Sequence, residues 1–173
     1  NPKTLLLMHG WPGSVVEFYK IIDQLAHPEN YGGLKEEGLT VIAPSLPGFG
    51  FSDPPKNPMG PRKIAEVLNK LMVDNLECES YVAQGGDWGA TIANWLGLDH
   101  SNNCKAIHIN CLTMRHPDGP KNEEEKNWLI KFDQDQIIQD GYRTQQATKP
   151  QTLSYAMMDS PVGIVAWILE KMH

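Results

Sequence analysis

Five residues, Gly85-Gly86-Asp87-Trp88-Gly89, constrain the fold most, because a strand-like run leads into them and a helix-like run leaves them. Ser80 to Gln84 reads as a short strand, and Ala90 to Leu98 as a helix. Small residues around the aspartate suit a sharp strand-to-helix turn, where a bulky side chain would strike the backbone it folds against. Asp87 then stands exposed, with the first free N–H groups of the helix pointing back at its carboxylate and favouring the ionised form. An ionised aspartate can attack carbon without a base. Asp is also a common helix N-cap, and Gly-rich turns before helices are ordinary loops. The five residues alone therefore leave a structural cap and a nucleophile elbow both open.

A second motif lies upstream. Thr4-Leu5-Leu6-Leu7-Met8 is a continuous apolar run suited to a buried parallel strand, and it ends in His9-Gly10-Trp11-Pro12-Gly13-Ser14. Leu39 to Pro44 supplies another strand, followed by the Gly/Pro-rich stretch from Ser45 to Ser52. Apolar spacing predicts helices over 15–25 and 62–76, the second opened by Pro61, and Lys105 to Asn110 is strand-like. This alternation predicts an α/β fold, a parallel sheet of about four strands flanked by helices with right-handed crossovers.

With HGWPGS at 9–14, PSLPGFGFS at 44–52 and GGDWGA at 85–90 in view, the chain resembles the epoxide hydrolases of the α/β-hydrolase superfamily, in particular the microsomal and juvenile-hormone branch. The stretch from Asp140 through Thr148-Lys149-Pro150 to Gly163 resembles the lid of that branch. The resemblance implies that Asp87 opens the epoxide and forms an alkyl ester. Backbone N–H groups of Trp11 and Trp88 would form the oxyanion hole for hydrolysis of that ester. It also implies a cis peptide between Trp11 and Pro12, and Tyr142 as donor to the epoxide oxygen, since a ring-opened alkoxide needs a proton source. His9, Gly10 and Pro12 fall in the binding loop, His9 more as structure than as catalyst. No cofactor and no metal are implied; the partners are a small apolar epoxide and water, in detoxification or aromatic hydrocarbon catabolism. Without the resemblance, Trp11 and Trp88 read as wall packing and Tyr142 as a half-buried packing aromatic.

In this fold an acid and then a histidine follow the nucleophile, both beyond the lid. His100 is near a helix end, His108 lies inside a strand, His116 starts a Pro/Gly-rich loop and His173 is the last residue. None matches the family's base, and no acid can be assigned to orient one. The expectation is a fragment: residues 1–111 as a partial α/β-hydrolase core lacking its first and last strands, and 112–173 as the first part of a helical lid. Helices are predicted near 123–140 and 162–172.

The chain has 173 residues, 40% hydrophobic and 21% charged, with net charge −6. It holds no apolar run near the roughly 20 residues that span a bilayer, and its acidic balance argues against nucleic acid. Cys78, Cys104 and Cys111 are odd in number and lack metal-ligand spacing, which suits free thiols in a reducing, cytoplasmic setting; a missing N-terminal segment could still anchor the parent protein. Three functions fit. One is an epoxide hydrolase. Another is a haloalkane dehalogenase-like hydrolase, whose halide leaves without a proton and has no need of Tyr142. The third is a truncated hydrolase-like domain that binds apolar ligands without turnover.

Overall fold

Leu5-Leu6-Leu7-Met8 offers no polar side to water, so the strand it forms belongs inside a sheet. In the computed structural model, which describes residues 3–112 and 117–172, β1 (Lys3–Met8) lies between β2 (Leu39–Ile42) and β3 (Tyr81–Gly85). The outer neighbour of β3 is β4 (Cys104–Ile109). All the pairings are parallel. Parallel neighbours need crossovers, and α1 (Tyr19–Ala26), α2 (Pro61–Lys70) and α3 (Trp88–Asp99) supply them. The result is the four-stranded parallel α/β sheet expected from the sequence. His116 and His173 lie outside the described residues.

Alternation along β1 divides it between two cores. Leu6 and Met8 pack with Ala65 and Leu68 of α2 and with Ile92, Ala93 and Leu96 of α3. Leu5 and Leu7 face the other way, onto Phe18 and, from α1, Ile22 and Leu25. Leu6 and Met8 are completely buried, each contributing about 1.5–3 kcal/mol of transfer free energy.

Two predicted helices differ in detail. The one over 15–25 starts as a 3-10 turn, Val15–Phe18, before becoming α1. The one over 62–76 is α-helical to Lys70 and then widens into a π turn, Leu71–Asn75, where Leu76 N–H closes on the Leu71 carbonyl. Met72 inside that turn is fully buried in the core. The apolar period continues through this segment, so sequence spacing alone does not separate the two helix types.

The chain divides into two compact units, Asn1–Thr113 and Met114–His173. The second contains α4 (Glu123–Gln139), α5 (Gly141–Thr148), α6 (Pro150–Asp159) and α7 (Pro161–Leu169). Asn122 caps α4 by accepting from Glu125 N–H at 2.8 Å, and Ser160 caps α7 by accepting from Val162 N–H at 3.2 Å. Prolines open α6 and α7, where a missing N–H breaks no helical bond. These helices bury little: Ile137 is 86% and Met158 87% exposed. Among the described residues, no helix is long and apolar enough to cross a membrane.

In the first unit, side-chain ties join α2 to its neighbours. Tyr81 donates to Asn69 Oδ1 at 2.8 Å, and burial pushes its phenol far above the usual range. Arg62 grips Asp99 with Nε at 2.6 Å and Nη2 at 3.0 Å while its guanidinium lies 4.6 Å from the centre of the Trp95 ring. Hydrogen bonding to Arg62 holds the Asp99 carboxyl below its ordinary value. A depressed folded-state value means the tie is complete above the ordinary aspartate range and is lost as pH falls through the lowered one. In urea titrations across pH, wild type is expected to exceed Asp99→Asn in stability most at neutral pH. The gap should close in acid and narrow in high salt.

Candidate functional site

The sheet order fixes where a site can form. From β1 the chain crosses to β2 on one side and returns to β3 on the other, so β1 and β3 part at their C-terminal ends, the switch point where open α/β sheets bind ligands. The His-Gly loop leaves β1 there, and the Gly-Asp turn leaves β3. Met8 and Gly85 are register partners, the last pair before both segments depart.

Asp87 sits at φ 48°, ψ −122°, a backbone conformation that non-glycine residues adopt only when their surroundings impose it. The surroundings here are close backbone contacts. A Cβ on Gly85 would overlap the Gly89 carbonyl, and one on Gly89 would overlap the Met8 carbonyl. The start of α3 thus rests directly on the end of β1. A Cβ on Gly10 would overlap the Asp87 side chain, so the bare Cα is what lets the carboxylate lie over the loop.

That geometry removes only the capping reading. Asp87 makes no capping hydrogen bond to α3, and its Oδ1 instead accepts the Trp11 N–H at 2.9 Å, across 76 residues. No N–H of the first turn of α3 hydrogen-bonds to the carboxylate, which is held instead by the loop that leaves β1. Trp88 N–H makes no hydrogen bond to Asp87, and the Trp88 side chain is 47% exposed at the start of α3.

Around the donor, the loop is tied to itself. Leu46 N–H donates to His9 Nε2 at 3.0 Å, which leaves the ring proton on Nδ1, and Nδ1 then donates to the Gly10 carbonyl at 2.8 Å. Phe49 meets the same imidazole edge-on at 5.2 Å. His9 is buried with both nitrogens engaged by its own chain, so its part in the loop is structural. Gly10 is buried, Trp11 half-buried and Pro12 exposed, and the Trp11–Pro12 peptide is cis.

Two further features shape the loop. One is the Leu46 N–H that orients His9. The other is Glu17, whose Oε1 accepts the Ser14 N–H at 3.0 Å while Ser14 Oγ caps the turn through Val16 N–H. The Ser-x-x-Glu spacing at 14–17 was a visible capping-box signal. On β4, His108 is exposed in register with Gln84, and Asn110 places its amide oxygen 2.5 Å from where a Cβ on Gly86 would stand.

Tyr142 belongs to the second unit, on α5, 39% exposed, beside a turn fastened by Arg143 Nε donating to Asp140 at 2.6 Å. That unit also holds an apolar hollow of about 380 Å³ between α6 and α7, lined by Leu153, Met157 and Trp167 with Glu170 at its polar edge. Cys78, Cys104 and Cys111 are free thiols, and burial pushes the Cys104 thiol up.

Residues 3–157 match the family model described as alpha/beta hydrolase fold. The chain is 36% identical over 190 residues to epoxide hydrolase 1 of Oryctolagus cuniculus, covering 99% of this chain and 42% of that protein. It is 38% identical over 189 residues to juvenile hormone epoxide hydrolase 2 of Ctenocephalides felis, covering 96% and 39%. The crystal structure of juvenile hormone epoxide hydrolase from the silkworm Bombyx mori superposes with a TM-score of 0.81 at 33% identity, over 99% of this chain and 44% of that one. The chain therefore spans about two fifths of the length of the curated relatives it matches.

The elbow's dependence on bare glycine is testable without any ligand. Gly89→Ala is expected to cost about 3 kcal/mol or more, since backbone carbonyls cannot swing aside as a side chain can. Gly60→Ala, with nothing within 4 Å of its Cβ, should cost under about 1 kcal/mol. Urea unfolding of the two variants checks the contrast.

Proposed function

Because the chain belongs to the alpha/beta hydrolase fold family and its relatives are named epoxide hydrolases, we propose that Asp87 is the nucleophile of an epoxide-opening hydrolase. The observation that carries this reading is the Asp87 carboxylate. It is turned from its own helix, met on Oδ1 by the Trp11 N–H, and takes no hydrogen bond on Oδ2 among the described residues. The substrate class is a small apolar epoxide.

In this reading Oδ2 attacks a ring carbon, the ring C–O bond breaks, and Tyr142 gives its phenolic proton to the released alkoxide. Residues 112–173, which carry Tyr142 on α5, are taken in this reading as the start of a lid. Water next attacks Asp87 Cγ, and negative charge gathers on Oδ1, the oxygen to which Trp11 N–H already donates. Trp88 N–H, opening α3, is the second donor. Collapse of the intermediate releases a vicinal diol and restores the carboxylate, and the proton that the base takes from water passes to the Tyr142 phenolate.

The water needs a base. His9 is committed to Gly10 and Leu46, His100 ends α3, His108 lies in β4, and none of these hydrogen-bonds to Asp87. Among the described residues no histidine hydrogen-bonds to Asp87, and the reading therefore expects an ester that forms and persists.

Intact-mass analysis with peptide mapping tests this directly. A terminal alkyl epoxide should add its whole mass to Asp87, once per chain, whereas a matched haloalkane would add only its alkyl group. Asp87→Asn should abolish the adduct, and Tyr142→Phe should slow its formation on the order of 100-fold. Labelling elsewhere, or an undiminished adduct in Asp87→Asn, removes Asp87 as nucleophile. Repeated diol release by residues 1–173 removes the claim that the base is missing.

A further inference from the structure

The N–H that meets Asp87 belongs to the Gly10–Trp11 peptide, a rigid plane whose carbonyl points the opposite way. Both ends of that plane are held. Its N–H donates to Asp87 Oδ1 at 2.9 Å, and its carbonyl accepts from His9 Nδ1 at 2.8 Å and from Gly13 N–H at 3.1 Å. The clamps on the carbonyl matter because the Asp87 side chain requires glycine at position 10, and glycine is the residue whose backbone torsions most readily let a peptide rotate. A rotated peptide would turn a carbonyl oxygen toward a carboxylate and remove the donor.

The Gly13 end of this clamp is governed by Glu17. Its Oε1 accepts the Ser14 N–H at 3.0 Å and occupies the place where a Cβ on Gly13 would stand, so the carboxylate lies flat on the turn that delivers the Gly13 N–H. Among the described residues no cation pairs with Glu17, and the hydrogen bond it accepts comes from backbone.

From this we infer that Glu17 is a positioning residue: it holds the 10–13 turn closed and so keeps the Trp11 N–H aimed at Asp87. The inference deepens the proposed function and rests on Asp87 being the nucleophile. A residue that merely capped the 3-10 turn at Val15–Phe18 would stabilise that turn without controlling the Trp11 amide.

The test compares Glu17→Ala with Glu17→Gln, whose amide oxygen can still accept the Ser14 N–H, in the 173-residue chain. Hydrogen exchange of the Trp11 amide is followed by NMR, referenced to the Leu6 amide in the buried strand. Glu17→Ala is expected to speed Trp11 exchange about tenfold or more relative to Leu6, and Glu17→Gln to restore it to within about threefold. The rate of Asp87 alkylation by 1,2-epoxyhexane should fall about tenfold in Glu17→Ala and recover in Glu17→Gln, as expected for a displaced reacting group. Should Glu17→Ala fail to fold, Glu17→Asp, one methylene too short to reach Ser14, must show the same faster exchange. Lower stability with unchanged Trp11 exchange would make Glu17 a helix cap and sink the inference. If Trp11 exchange responds but wild-type Asp87 takes no epoxide, the positioning role stands and the nucleophile reading fails.

Discussion

Everything distinctive about the first unit depends on one hydrogen bond, from the Trp11 N–H to Asp87 Oδ1. It joins the ends of two neighbouring parallel strands at a point where no ladder bond can follow. For it to form, α3 must begin against the Met8 carbonyl, which only a glycine at 89 permits. Asp87 must also accept a positive φ, and Gly10 must present a bare Cα. The burial of Leu6 and Met8 beneath α2 and α3 supplies the rigid floor that imposes these conditions. The local strain at Asp87 is maintained by the packing around it, the usual circumstance of strained residues at functional sites.

The same contacts explain why an aspartate at a helix start is not acting as a cap here. A capping side chain folds back over the first turn from an extended backbone, as Asn122 and Ser160 do in the second unit at φ −144° and −147°. Asp87, at φ 48°, is turned out of that arc. Residues with similar capping chemistry thus take opposite roles because of a dihedral angle, and the angle is set by neighbours on another strand.

This also marks what could be read in the chain beforehand. The strands, the parallel sheet and the two loops that leave β1 and β3 follow from apolar runs and glycine placement, because these depend on residues close in sequence. The His9–Leu46 bond spans 37 residues and the Trp11–Asp87 bond 76, and such pairings become visible only once the sheet has brought the loops together. The π turn at Leu71–Asn75 was hidden for another reason: its apolar spacing is compatible with a continued α-helix. Glu17 was legible as half of a capping box, but its place over Gly13 was not, since that depends on how the turn closes.

The register of β1 against β3 acquires a meaning beyond stability. Met8 opposite Gly85 is the last rung shared by the two strands, and donor and acceptor emerge within three residues of it on either side. A slip of one residue would displace Trp11 relative to Asp87 by about 3.3 Å and send alternate side chains to the wrong face, more than the length of the bond that joins them. The ladder therefore works as a ruler, so that alignment of the Asp87 carboxylate is inherited from the same pairing that decides which leucines are buried.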